Sequence, residues 1–284
     1  MRIIRSIKKM QDFSRRSIKE GKRIGFVPTM GALHTGHLSL IRRARHDNDL
    51  VVTSIFVNPL QFGPKEDLKK YPRDLNRDAQ LCRKEAVDIL FYPEASTMYP
   101  AGHKTLVHVL DLSDKLCGKS RPGHFRGVST VVLKLFNIVR PDTVYFGQKD
   151  AQQAIIIKKM VSDLHLPIAV KVLSTVRENN GLALSSRNQC LKAQEKIDAL
   201  VVPGALNLAR KLIKNGEKDA HKIIQAMRKR VTKKKNVKID YISVVDLEKL
   251  EPLRRLNGEY LIALAVWIGK TRLIDNIVVE TKLN

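Results

Sequence analysis

Short apolar runs alternate with longer amphipathic stretches over residues 23–174 of this chain. The apolar runs are rich in β-branched residues and have the length of strands buried on both faces, whereas the apolar positions between them recur with helical spacing. This order is typical of βαβ units, and it predicts an α/β fold with a doubly wound parallel sheet. The predicted strands are 23–28, 50–57, 87–91, 142–146 and 168–173, and the predicted helices are 37–47, 74–85, 127–139 and 150–164.

The pattern changes after about residue 175. Two helical patterns, at 193–213 and 218–235, have basic polar faces, and strand-like runs follow at 238–245 and 259–267. Because these elements do not alternate, we expect a smaller α+β unit. The predicted domains are therefore residues 1–175 and 176–284, joined without a Ser/Gly-rich linker.

Polar residues follow three of the predicted strands at the point where each strand ends. His34 and His37 follow the first strand, Asn58 and Gln61 follow the second, and the sequence 147–150 follows a later one. In doubly wound sheets, ligands bind outside the carboxyl ends of the strands. We therefore expect the three polar loops to converge on one binding site.

The sequence 30–37 has the order strand, small-residue loop, helix start. Free backbone N–H groups and the positive end of a helix dipole favour an anion there, and Gly36 lets a phosphate approach the backbone. The imidazoles of His34 and His37 can donate hydrogen bonds to a phosphoryl oxygen as charge develops on it. A surface or packing pair is the ordinary alternative, and a zinc pair would need a third ligand for which the sequence offers no cluster.

Other polar residues extend the same hypothesis. Lys149 can neutralise phosphate charge, and Asp150 can cap the following helix or approach a metal. The same two residues would also be expected at an ordinary helix start without a ligand. Arg121 can clamp a carboxylate or phosphate, and the turn at 181–188 offers two hydroxyls and a guanidinium. Gln153 lies one turn beyond Lys149, and glutamine amides suit hydroxyl and carboxylate groups.

Composition narrows the function classes. The chain has 284 residues with 43% hydrophobic positions and a formal net charge of +24. It has no apolar run of the roughly 20 residues that span a bilayer, and its basic N-terminus lacks the apolar core of a secretory signal. The cysteines at 82, 117 and 190 are too far apart in sequence for an evident disulfide framework, so we expect a cytoplasmic protein.

The basic residues are densest at 210–238, with twelve basic and two acidic side chains. Nonspecific binding to nucleic acid and attraction of anionic substrates would both use such a surface. Aromatic residues do not alternate with these basic residues, as a single-strand binder would require. We expect a solvated helical face, without specific nucleic-acid binding.

The motifs taken together resemble the pantoate–β-alanine ligase family. The matching strings are VPTMGALHTGH, SIFVNPLQF, YPRDL, SRPGHFRGVSTVV, YFGQKDAQQ, GLALSSRN and RLIDN, which span residues 26–276 in the family's order. The HxGH string alone is shared by many nucleotidyltransferases, whereas the longer strings are far more specific.

This resemblance implies a Rossmann-like domain with a smaller α+β C-terminal lid domain, in a cytoplasmic homodimer that interacts with no membrane. It implies that pantoate reacts with Mg-ATP to give pantoyl adenylate and pyrophosphate, and that β-alanine then displaces AMP to give pantothenate. Mg²⁺ would be carried mainly by the ATP phosphates, with Asp150 as a candidate protein ligand. The implied catalytic residues are His34, His37 and Lys149, and the implied pantoate or β-alanine contacts are Asn58, Gln61, Arg121 and Gln153. The implied ATP contacts are Met30, Gly31, Ala32, Leu33, His34, Thr35, Gly36, His37, Gly147, Gln148, Lys149, Asp150, Val176, Leu184, Ser185, Ser186 and Arg187.

Two positions depart from the family pattern. Gln148 and Cys117 stand where the family usually has glutamate, so two charge contacts are in doubt. Two other functions stay open at this point. One is an HxGH nucleotidyltransferase that stops at adenylyl transfer, and the other is a nucleic-acid-binding protein that uses the basic segment.

Overall fold

The computed structural model describes residues 1–64, 66 and 68–281. It contains a parallel sheet with helices on both faces and a separate antiparallel sheet packed against C-terminal helices. The strands are β1 (Arg2–Ile4), β2 (Ile24–Thr29), β3 (Leu50–Ile55), β4 (Ile89–Phe91), β5 (Thr143–Gly147), β6 (Ala169–Leu173), β7 (Val237–Asp246), β8 (Gly258–Ile268) and β9 (Thr271–Thr281). The helices are α1 (Ile7–Lys19), α2 (Thr35–Asp47), α3 (Leu75–Lys84), α4 (Ala95–Met98), α5 (Cys117–Ser120), α6 (His124–Val139), α7 (Ala151–Asp163), α8 (Ala193–Ala199), α9 (Val201–Lys214) and α10 (Ala220–Val231).

The parallel sheet has six strands in the order β1-β4-β3-β2-β5-β6. The chain first proceeds outward from β2 through β3 to β4, and then returns to the other side of β2 to form β5 and β6. The strand order therefore reverses between β2 and β5, which is the switch point where such sheets bind ligands. The predicted doubly wound fold is confirmed.

Each face of the parallel sheet is covered by helices from its βαβ connections. Helices α1, α6 and α7 pack on one face against Phe26, Val52 and Phe91. Helices α2 and α3 pack on the other face against Val27 and Val51. The predicted burial on both faces is wrong for β6, where Ala169 is exposed, because this strand lies at the edge of the sheet.

The antiparallel sheet has the order β7-β8-β9 and packs against α9 and α10. The helix predicted at 193–213 is two helices, α8 and α9, which meet at Leu200. Pro203 lies in the first turn of α9, where a backbone N–H has no helical acceptor to lose. The positions 282–284 of the predicted second domain lie outside the described residues.

The basic face predicted at 210–238 is only partly solvated. Ile223, Met227 and Val231 of α10 are buried, and the basic residues between them are exposed as expected. Lys234, however, lies 3.4 Å from the carboxylate of Asp198, whose side chain is almost fully buried. Lys234 therefore has a contact with a buried acidic residue. No helix in the described part of the chain is both long and apolar enough to cross a membrane.

Candidate active site

A cavity of about 230 Å³ lies outside the carboxyl ends of β2 and β5, at the switch point of the sheet. It brings together most of the residues predicted from the three polar loops and from the turn at 181–188. The predicted residues that line it are Met30, His34, Gly36, His37, Asn58, Gln61, Arg121, Gly147, Lys149, Asp150, Gln153, Val176, Leu184, Ser185, Ser186 and Arg187. Gly31, Ala32, Leu33, Thr35 and Gln148 are outside this lining.

The two histidines begin helix α2 and cap it with their own rings. The Nδ1 atom of His34 accepts from the Gly36 N–H at 3.2 Å, and the Nδ1 atom of His37 accepts from the His34 N–H at 3.4 Å. An imidazole whose Nδ1 accepts a hydrogen bond carries its proton on Nε2 when it is neutral. Each ring, 4.1 Å from the other between centroids, therefore has an Nε2–H donor.

Both histidines are neutral at physiological pH. Burial lowers the pKa of His37 to about 3, assisted by the proximity of His34 and Lys149. Burial also lowers the pKa of His34 to about 4, and Lys149 again disfavours the charged ring. The pair thus supplies hydrogen-bond donors without adding positive charge.

The backbone amides of the loop before α2 are mostly engaged within the protein. The amides of Ala32 and Leu33 each donate to the buried carboxylate of Asp78 at 2.8 Å, and the Gly31 amide donates to Thr29 Oγ1 at 3.1 Å. The sequence-based prediction of free amide groups for an anion is wrong for these three residues. Asp78 from α3 instead fixes the loop, and side chains supply the polar groups of the cavity.

The turn after β3 presents Gln61 to the cavity. Asn58 holds this turn, because its Nδ2 donates to Gln61 Oε1 at 3.1 Å and to the Gly127 carbonyl at 3.0 Å. The Leu60 carbonyl packs directly on Gly127 of α6, where a Cβ atom would be only 2.3 Å from that oxygen. Gly127 therefore permits the close approach that sets the position of Gln61. The same helix lines the cavity with apolar side chains at Val128, Val131, Val132 and Leu135.

Arg121 is paired with a carboxylate at the wall of the cavity. Its guanidinium donates to both oxygens of Glu66, with distances of 2.7 and 2.6 Å. Its Nη1 also lies 3.0 Å from His124 Nε2, while His124 Nδ1 lies 2.8 Å from the Gln61 carbonyl. Because burial and the adjacent Arg121 lower the pKa of His124 to about 4, the ring is neutral and donates from Nδ1 to that carbonyl.

The loop 147–150 carries Lys149 into the cavity. Lys149 Nζ lies 3.8 Å from the carboxylate of Asp150, which is half exposed. Gln148 points away from the cavity and donates from Nε2 to Asn276 Oδ1 at 3.0 Å. The amide at this position thus replaces the usual glutamate with a neutral hydrogen bond to β9.

A second cavity of about 630 Å³ adjoins the first and opens between the two sheets. The two share Arg121, His124, Lys149 and Gln153 as a common wall. Cys117 lines the larger cavity, where Tyr241 and Arg272 contact its Sγ at 3.2 and 3.3 Å.

Arg272 also donates to the carboxylate of Asp240 at 2.7 Å. Asp240 therefore supplies the carboxylate partner of Arg272 beside Cys117.

Sequence reasoning missed several residues that shape the site. His124 lies in a string quoted for the family resemblance, but its hydrogen bond to the turn after β3 has no sequence signal. Thr175 lines the smaller cavity with a buried hydroxyl that has no hydrogen-bond partner among the described residues. Asp275 and Asn276 are part of the RLIDN string, yet β9 was not predicted as a strand.

These features define a class of protein. The sheet is doubly wound, and the cavity at its switch point brings together a neutral histidine pair, a lysine and two glutamines. This arrangement is that of a nucleotide-binding α/β enzyme of the HxGH type.

The chain belongs to the pantoate–β-alanine ligase family, whose model matches residues 2–278. Pantothenate synthetase from Heliobacterium modesticaldum is 57% identical over 280 residues, which cover 99% of this chain and 100% of the relative. Pantothenate synthetase from Caldicellulosiruptor saccharolyticus is 55% identical over 280 residues, with the same coverage. The activity is accordingly that of a pantoate–β-alanine ligase, and a nucleotidyltransferase that stops at adenylyl transfer is not favoured.

Solved structures agree with this assignment. The pantothenate synthetase of Thermus thermophilus superimposes with a TM-score of 0.93 at 42% identity, covering 98% of this chain and 99% of the other. The pantoate–β-alanine ligase of Francisella tularensis, described as complexed with β,γ ATP and β-alanine, gives a TM-score of 0.79 at 37% identity, covering 98% and 97%.

Proposed function

We propose that the ligation proceeds in two steps in the cavity at the switch point. Pantoate carboxylate first attacks the α-phosphate of ATP, which forms a P–O bond and releases pyrophosphate. The amine of β-alanine then attacks the acyl carbon of pantoyl adenylate, which forms the amide bond and releases AMP. The observation that carries this proposal is the convergence of neutral His34 and His37, Lys149 and Gln61 on one cavity.

In the first step, negative charge builds on the α-phosphate oxygens. His34 and His37 donate from Nε2 to those oxygens, and Lys149 neutralises charge beside them. Donors held in place before the reaction stabilise the transition state without the cost of reorganisation. The capping hydrogen bonds at Nδ1 orient both rings, so the same contacts that begin α2 also direct the donors.

Pantoate has hydroxyl groups and a carboxylate, which suit the amides of Gln61 and Gln153. The apolar wall of α6 suits its carbon skeleton. ATP occupies the remaining space, which is lined by Gly147, Val176 and the residues 184–187. The Francisella tularensis ligase was crystallised with a β,γ ATP compound and β-alanine, which supports ATP and β-alanine as substrates.

We assign β-alanine to the larger cavity at the start of the second step. Arg121 forms part of the shared wall, and the carboxylate of this amino acid would replace that of Glu66 on its guanidinium. We also assign residues 1–175 to the ATP- and pantoate-binding domain and residues 176–284 to a lid domain. The hydroxyls of Ser185 and Ser186, which reach the wall of both cavities, support a lid role that keeps water from the adenylate.

Mg²⁺ would be held mainly by the phosphates of ATP. Of the described residues that line the smaller cavity, Asp150 alone carries a carboxylate, and half of it is exposed. This donor set fits Mg²⁺, which usually keeps several waters and binds one or two carboxylates together with phosphate oxygens. When bound, the ion would neutralise phosphate charge.

We further propose a homodimer in the cytoplasm. Leu106 and Leu110 are 46% and 75% exposed in a segment that forms neither helix nor strand, and their neighbours Val107 and Val109 pack onto the core. Exposed apolar side chains of this kind favour an interface, and a second copy of the chain is the occupant we propose. The free thiols of the widely spaced cysteines support a reducing compartment.

The test of the two-step reaction is an AMP-release assay with each acceptor omitted in turn. ATP with pantoate alone should give pyrophosphate in an amount close to that of the enzyme, and AMP release should need β-alanine as well. AMP release with β-alanine in the absence of pantoate would contradict the proposed order of steps.

A further inference from the structure

We propose that Asp275 and Asn276 of β9 are a positioning pair for adenylyl transfer. They hold the loop 147–150, which carries Lys149, and the hairpin 177–183, which leads into residues 185–187. Both residues act through these loops rather than on the reacting atoms. The inference rests on the proposed roles of Lys149 and residues 185–187 at the phosphates.

Asn276 fixes the loop 147–150 through all of its side-chain hydrogen-bonding groups. Its Nδ2 donates to the carbonyls of Gln148 and Lys149 at 2.9 and 2.8 Å, and its Oδ1 accepts from Gln148 Nε2 at 3.0 Å. The side chain is only 4% exposed. The two peptide groups that flank Lys149 are therefore held by a strand of the antiparallel sheet.

Asp275 fixes the hairpin 177–183 in the same way. Its carboxylate accepts from Arg177 Nη1 at 2.6 Å and from Nη2 at 3.0 Å, and Arg177 Nη1 also donates to the Gly181 carbonyl at 3.0 Å. Arg177 pairs with Ala183 through a β-bridge, two residues before Ser185. Asp275 is 2% exposed, so the carboxylate of this bidentate pair lies away from solvent, while the Arg177 side chain is 29% exposed.

Burying the polar side chains of Asp275 and Asn276 costs free energy, and their hydrogen bonds to the two loops offset this cost. Replacing buried ion pairs by well-packed apolar residues of similar size is often neutral or stabilising. The neighbours Leu273 and Ile277 on the same strand pack into the apolar core. The polar side chains thus occur where β9 meets the two loops.

Because consecutive residues of one strand hold both loops, the distance between Lys149 and residues 185–187 is fixed by β9. Groups that act on one phosphate must keep such spacing, since a displacement of about 1 Å can cost about 10²-fold in rate. The Asp275 carboxylate also accepts from the Asn276 N–H at 2.8 Å, which joins the two contacts.

The test uses Asn276→Asp, which keeps the shape but loses both donors and sets a negative charge against two carbonyl oxygens. We expect single-turnover pyrophosphate formation from ATP and pantoate to fall about 10–100-fold. The Kd of pantoate, measured without ATP, should stay within about twofold, because Gln61 lies on a different loop and Gln153 is held within α7, after the loop 147–150 ends. Ile277→Val on the same strand is the matched control and should keep the normal rate.

A double-mutant cycle with Lys149→Met separates the inference from the proposed function. If Asn276 acts through Lys149, Asn276→Asp should cost less than about threefold in the Lys149→Met enzyme. Effects that multiply, or a parallel loss of pantoate affinity, would overturn the inference. A normal rate for Lys149→Met alone would instead overturn the proposed role of that lysine.

If Asn276→Asp does not fold, Asn276→Ser replaces it in the same cycle. Serine keeps one hydrogen-bond donor, so Asn276→Ser should lower the rate less than Asn276→Asp does. In the Lys149→Met enzyme, Asn276→Ser should again have little effect. A folded Asn276→Ser enzyme with an unchanged rate would overturn the inference.

Discussion

His37 has two functions, an Nε2–H donor that faces the cavity and an Nδ1 acceptor that caps α2. Two substitutions separate these functions. His37→Asn removes the distal Nε2–H and keeps an amide oxygen near the position of Nδ1, which can still accept the His34 N–H. His37→Gln retains an N–H near the position of Nε2 and loses the acceptor near Nδ1. The two variants therefore remove opposite halves of the same ring.

The expected magnitudes follow from the two contacts. Loss of one donor to a developing oxyanion costs about 10²–10³ in rate, so His37→Asn should slow adenylylation by that factor. The capping contact from the His34 N–H is 3.4 Å long, which puts its loss at the low end of the usual range. His37→Gln should therefore lose about 0.5 kcal/mol of stability and less than about tenfold in rate.

Single-turnover formation of pyrophosphate gives the rate, and urea unfolding gives the stability. Because the pKa of His37 is about 3, its titration should leave the adenylylation rate unchanged between about pH 5 and pH 8. A near-normal rate for folded His37→Asn, or equal losses in both variants, would refute the donor role. A rate change near pH 6.5 that disappears in His37→Gln would refute the burial of the ring.

Three further predictions concern other parts of the molecule. Gln153→Ala should weaken pantoate binding at least tenfold more than ATP binding in equilibrium titrations; equal effects would contradict its assignment to pantoate. Replacing the lysines at 233–235 with Gln should leave kcat/KM within about threefold, because exposed charges beyond about 10 Å are screened at 0.1 M salt, and it should weaken nonspecific RNA binding. The same variant should unfold at lower urea concentration through the lost contact to Asp198, whereas a tenfold loss of activity would mean that these lysines serve the site. The folded pKa of His124 is about 4, below the unfolded value near 6.5, so its contribution to stability is complete above pH 6.5 and declines as the pH falls toward 4. The free energy of unfolding falls between pH 7 and pH 5, and this decrease should be about 2 kcal/mol smaller in His124→Asn than in the unmodified enzyme. An equal decrease in both proteins, measured by urea titration, would contradict this account.

The sequence predicted the buried strands of the parallel sheet to within about two residues, because their apolar runs have no other stable environment. It missed β1, which is three residues long and lies at the sheet edge. It also missed β9, where Arg272, Asp275 and Asn276 interrupt the apolar alternation. Asp275 and Asn276 contact the loops of the site, and Arg272 contacts Cys117 and Asp240, so these positions carry polar residues where a strand pattern would need apolar ones.

The residues of the site were easier to predict than their contacts. His34, Lys149 and Gln61 have motif strings that identify them, and the structure brings them to one cavity. Side-chain partners from distant segments have no such signal. The sequence before α2 suggested free backbone amides, for example, but the amides of Ala32 and Leu33 donate to Asp78, which lies 46 and 45 residues further along the chain.

The contact between Gly127 and the Leu60 carbonyl bears on attempts to redesign this enzyme for other acids. A side chain at position 127 would push the turn outward and displace Gln61, so this position offers no route to a new substrate. Val128, Val131 and Val132 follow on the same helix and face the cavity. Shortening these valines would enlarge the space for the acyl chain while the glutamine keeps its place, so a library of acid-specificity variants should vary the valines and keep the glycine.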